Sequence, residues 1–124
     1  MTTEPTLLDF NRVLQDLAGH LFSLVDAKLG AAAAWTQAVL DVRSPEEGGT
    51  QIAKFRIHLP DGSATSARIP AVVNGLIREA WLVKQSAFPE QWYGLKLKLL
   101  PSGDCETEFD YDPACFDDPN FFDI

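Results

Sequence analysis

The chain has 124 residues, 46% of them apolar, with eight Phe and three Trp, a composition that excludes a disordered polymer. One domain of this size, here residues 1–124, buries roughly 65–70% of its unfolded surface and holds together without staples. No stretch reaches the roughly 18 apolar residues of a membrane helix. Met1-Thr-Thr-Glu-Pro-Thr places no positive charge ahead of an apolar run, so it does not read as a secretory signal, and the expected location is cytoplasmic.

The net charge is −8. Residues 1–103 carry ten basic and ten acidic side chains, so the whole charge sits in the last 21 residues. Asp104, Glu106, Glu108, Asp110, Asp112, Asp117, Asp118 and Asp123 lie there without one Lys or Arg. Such a segment repels nucleic acid and attracts a basic partner. A solubilising tail is the plainer reading, but such a tail has no use for Tyr111, Phe116, Phe121 and Phe122. Cys105 and Cys115 lack Cys-x-x-Cys spacing and clustered His, so they read as reduced thiols rather than metal ligands.

In chain order, the first helix is predicted over about residues 7–29. Thr6 and Asp9 form a capping box, and Leu7, Phe10, Leu14, Leu17, Leu21, Leu24 and Val25 make an apolar stripe. Gly30 stops it. Three strands follow, at 34–43, 51–59 and 63–69, separated by SPEEGG and by Pro60-Asp61-Gly62. In the second, Ala53, Phe55, Ile57 and Leu59 alternate with Lys54, Arg56 and His58, so one face is buried and one is wet. A second helix starts at Pro70 and runs to about Gln85, with Val73, Leu76, Ile77, Ala80 and Trp81 inward.

The last hairpin pairs 92–100 with 105–111 around Pro101-Ser-Gly-Asp104. Putting Tyr93, Leu95, Leu97 and Leu99 on the same side as Cys105, Thr107, Phe109 and Tyr111 requires an odd loop, such as three residues with Gly103 left-handed. The inner pairs are then Leu97–Thr107, Leu95–Phe109 and Tyr93–Tyr111. Outside, Lys98 faces Glu106 and Lys96 faces Glu108, each pair contributing about 0.2–1 kcal/mol. The fold expected is α+β: two layers, a mostly antiparallel five-stranded sheet with two helices on one face, in the order α-β-β-β-α-β-β. Its open face carries Lys54, Arg56, Lys96, Lys98, Glu106 and Glu108, with Trp35 a further candidate, and an irregular tail broken by Pro113 and Pro119 follows.

Little in the chain points to catalysis. His20 and His58 have no nucleophile beside them, no glycine-rich phosphate loop exists, and Lys and Arg do not cluster with aromatics as nucleic-acid readers do. The acids around Asp110, Asp112, Asp117 and Asp118 lack the calcium-loop pattern. No catalytic residue, metal ligand or cofactor is therefore expected. What remains is interleaved acids and rings: rings dominate binding energy, and charge sets encounter rate and specificity.

Trp92-Tyr93-Gly-Leu-Lys-Leu-Lys-Leu-Leu-Pro-Ser-Gly-Asp, followed by Glu106-Thr-Glu-Phe-Asp-Tyr-Asp112, resembles the final hairpin of the YezG-like immunity proteins. That hairpin has an aromatic-led strand, a Pro/Asp-Gly turn and a closing aspartate–tyrosine–aspartate triplet, here Asp110-Tyr111-Asp112. The order of elements is also similar over nearly the whole chain; the sharp part spans about 20 residues. The resemblance implies an antitoxin for a secreted polymorphic toxin, often a nuclease, of the kind used in contact-dependent growth inhibition, and it implies no catalytic residue. The expected partner is thus a basic toxin domain, bound through Trp92, Tyr93, Glu106, Glu108, Asp110, Asp112, Phe116, Asp117, Asp118, Phe121 and Phe122 and neutralised by occlusion. The rival readings are a chaperone for a secreted effector and a metal-dependent enzyme using the C-terminal carboxylates.

Overall fold

A computed structural model describes residues 7–30, 34–44, 51–87 and 92–112. It contains two helices and a five-stranded antiparallel sheet in the order α-β-β-β-α-β-β, an α+β fold. The elements are α1 (Leu7–Leu29), β1 (Gln37–Arg43), β2 (Ile52–His58), β3 (Ala64–Ala67), α2 (Ala71–Ala87), β4 (Gly94–Leu99) and β5 (Cys105–Asp110). The chain divides into a helical unit and a sheet unit. None of the described helices is long and apolar enough to cross a membrane.

In the helical unit, α1 packs against α2. The buried stripe of α1 is Phe10, Val13, Leu17, Leu21 and Val25, stepping by three and four residues as an amphipathic helix requires. The sequence pattern favoured Leu14 and Leu24, but both are only half-buried; Val13, one position away, lies nearer the centre of the stripe. The Gly30 N–H donates to the Asp26 carbonyl (2.8 Å), which closes the helix. Thr6 of the expected capping box lies outside the described residues. Helix α2 starts one residue later than expected: the Pro70 carbonyl accepts from the Val73 and Asn74 N–H groups (both 3.1 Å), so Pro70 caps the helix from outside. Its buried face is Val73, Ile77, Ala80, Trp81, Val83 and Lys84, while Leu76 is half-buried. The Lys84 ammonium lies 5.6 Å from the centre of the Trp81 ring, and burial lowers its pKa.

In the sheet unit the strand order is β3-β2-β1-β4-β5. The centre is β1, where Ala38, Leu40 and Val42 are fully buried. The register sets Leu40 between Phe55 of β2 and Leu97 of β4, and Val42 between Ala53 and Leu95. Burying each Leu, Ile or Phe contributes about 1.5–3 kcal/mol. Two hairpins share one turn design. Leu59 N–H donates to the Ser63 carbonyl and Leu100 N–H to the Asp104 carbonyl (both 2.9 Å). Each pair encloses a Pro-x-Gly loop, Pro60-Asp61-Gly62 or Pro101-Ser102-Gly103. Both glycines have positive φ, +90° and +95°, the left-handed conformation that a three-residue hairpin loop needs at its last position. Asp61 accepts from the Ser63 N–H (2.9 Å) and hydroxyl (2.6 Å), and these bonds hold its carboxyl below the usual range.

Candidate functional site

The β4–β5 hairpin has the register expected from its charges: Leu95 pairs with Phe109, Lys96 with Glu108, Leu97 with Thr107 and Lys98 with Glu106. The Lys98 ammonium is 3.7 Å from a Glu106 oxygen. The ladder ends at Gly94 with Asp110, one step short of the expected Tyr93–Tyr111 pair. There the Tyr93 N–H donates to the Asp110 carbonyl (2.7 Å) instead. The Asp112 N–H donates to the Asp110 carboxylate (3.0 Å). That local bond turns the chain out of the strand, because an aspartate can accept from its own backbone two residues on. The triplet Asp110-Tyr111-Asp112 is therefore a strand terminator as well as a charged group.

The eleven residues expected to bind a partner fall into three groups. Glu106, Glu108, Asp110 and Asp112 are exposed, and Tyr93 is half-buried. Glu106, Glu108 and Asp110 are spaced two apart, so their side chains leave one face of β5 in a row. Trp92 is corrected: it is fully buried, its ring 4.9 Å from the Phe109 ring at 42°. A ring with no exposed surface anchors the hairpin from within and has none to offer a partner. Phe116, Asp117, Asp118, Phe121 and Phe122 lie outside the described residues. So do Cys115, Pro113 and Pro119.

The sequence reading placed Cys105, Thr107, Phe109 and Tyr111 inside. Only Phe109 is half-buried; Cys105 and Thr107 are exposed, and Tyr111 is 51% exposed. Alternation assigns side chains to a face, but it does not say how far cover extends to an edge strand. Cys105 is free, and partial burial, with the Asp104 carboxylate beside it, pushes its thiol pKa up.

The other face of the sheet carries ordered charge. Across the strands the register aligns Lys54, Asp41, Lys96 and Glu108, so the sign alternates at every step. Sequence reasoning put Lys54, Arg56, Lys96, Lys98, Glu106 and Glu108 on this face but missed Asp41 and Arg43, whose spacing of two on β1 puts both there. Arg43 holds Asp41 by two bonds, Nε to Oδ1 (3.2 Å) and Nη2 to Oδ2 (3.1 Å). Beside them lies a notch of about 110 Å³ bordered by Asp41, Arg43, Gly94, Lys96, Glu108 and Asp110. His58 is half-buried at the end of β2 and His20 is exposed on α1. Among the described residues no three His, Cys, Asp or Glu side chains converge as metal ligands. No family model matches the chain, and no curated protein matches it.

Proposed function

We propose that this chain is an immunity protein that binds a basic toxin domain in the cytoplasm of the producing cell and neutralises it by occlusion. The observation that carries this reading is the row Glu106, Glu108 and Asp110, exposed along one strand. Aligned carboxylates on a hydrogen-bonded ladder meet the Lys and Arg that a nuclease uses to hold phosphates, and the enzyme then loses its substrate site. The likeness of the same hairpin to the YezG-like immunity proteins supports the choice of partner. Steering between an acidic row and a basic partner raises association toward 10⁸–10⁹ M⁻¹s⁻¹ at low salt, roughly, and the rate falls steeply as salt is added.

The test is co-expression with the toxin domain encoded immediately upstream. Survival of the cells and co-purification of the two proteins are expected. Cell death with no complex overturns the reading. Stopped-flow association at rising salt separates the charge contribution, and a flat response removes it.

A further inference from the structure

Among the described residues β5 has a single neighbour, β4. Its outward backbone can be identified. Leu100 and Asp104 are a hydrogen-bonded pair, and an antiparallel ladder alternates bonded and non-bonded pairs. Lys98–Glu106, Lys96–Glu108 and Gly94–Asp110 are therefore the bonded pairs in this register. The N–H and C=O groups of Cys105 and Thr107, between them, point to the outer side of the sheet. Both residues are exposed.

Edge strands are commonly blunted by shortness, by proline or by charged side chains, lysine above all. The opposite edge, β3, is four residues long, whereas β5 has six, lacks proline, and carries its charge as three acids, which deter an acidic strand and admit a basic one. The charge order says what fits beside it. Moving outward, Lys54, Asp41, Lys96 and Glu108 alternate in sign, and the next column has to be basic to continue the pattern. A second β5 would set carboxylates against carboxylates, which is destabilising on adjacent strands.

We propose that β5 is a docking edge onto which an extended segment of a basic protein adds as a sixth strand. Its Lys or Arg residues occupy alternate positions beside Glu106, Glu108 and Asp110, and small or apolar residues lie between them, beside Cys105 and Thr107. The proposal rests on the reading of the partner as a basic protein and adds how that partner is held: backbone bonds supply affinity, and the period-two charge match supplies register.

The probe is the alternating peptide acetyl-Lys-Val-Lys-Val-Lys-Val-Lys-amide, compared with its isomer in which the four lysines precede the three valines. The alternating peptide is expected to bind at least about tenfold tighter and to slow hydrogen exchange at the Cys105 and Thr107 amides. Thr107→Pro removes an outward N–H and leaves the β4 bonds intact, a substitution edge strands accept. It should lose at least about tenfold in affinity for the alternating peptide and bind the isomer as before, with an unchanged circular dichroism spectrum. If that spectrum is lost, amide protection in the unmodified chain decides the question. Equal binding of both peptides, unaffected by Thr107→Pro, overturns strand addition. The basic-partner reading then stands if Glu106→Lys/Glu108→Lys weakens both peptides. No binding of either peptide overturns both.

Discussion

Strands β4 and β5 belong to one hairpin, yet they live in different surroundings. Leu95, Leu97 and Leu99 are at most 1% exposed. Their cross-strand partners Phe109, Thr107 and Cys105 are half-buried, exposed and exposed. The two strands share a register, a turn and an alternating pattern; what separates them is the number of neighbours. With β1 on its other side, β4 is an interior strand, whereas β5 stands at the end of the described sheet. The contrast teaches that identical local geometry carries stability in one strand and leaves surface chemistry to the other.

The sharpest way to break this comparison is to truncate both members of one pair. Leu97→Ala should cost about 2–5 kcal/mol, the usual range for a buried leucine. Thr107→Ala, directly across the ladder, should stay within about 0.5 kcal/mol. Urea unfolding of the two variants checks this, and equal losses would mean that β5 is part of the core. Next in size is the turn that holds the strands together. Gly103→Ala forces a side chain into a left-handed backbone, although the surrounding space is open. It should lose about 1–2 kcal/mol from backbone strain alone, read from the same unfolding curves.

Smaller still is the charge pair across the hairpin. The Lys98 and Glu106 side chains are 41% and 60% exposed, so a double-mutant cycle should give a coupling of about 0.2–1 kcal/mol that shrinks with salt. A coupling that persists in molar salt would argue that the pair is more buried than its exposure indicates.

The smallest effect concerns Cys105. Its raised pKa means that the folded chain holds the thiol proton more tightly than the unfolded chain does. Stability is therefore unaffected below the ordinary thiol pKa and falls slightly as pH rises from that value through the raised one. In a Cys115→Ser background, the pH midpoint of alkylation should lie above that of a free thiol, and Asp104→Asn should bring it down. A midpoint below the free-thiol value contradicts the assignment.

Much of the hairpin could be read before any coordinates. Lys96 and Lys98 demanded acids opposite them, Leu95 and Leu97 demanded the other face, and a Pro-Ser-Gly loop of odd length satisfied both. The acidic row of the candidate site was legible for the same reason, since a spacing of two is a statement about one face. Trp92 was misread because its neighbours in sequence are polar and aromatic, while its neighbours in space include Phe109, seventeen positions away. Asp41 and Arg43 were missed because their place in the charged face depends on how β1 pairs with β2 and, far away in sequence, with β4.

Periodicity, turn chemistry and charge spacing act within a few residues, so the element order, the α+β class and the β4–β5 register follow from the amino-acid sequence by itself. Which strand lies beside β1, how deeply each alternating face is covered, and which ring is sealed inside depend on contacts between residues far apart in the chain. No local pattern encodes those contacts. They emerge only when the strands assemble, and they decide that β4 is core and that β5 ends the described sheet.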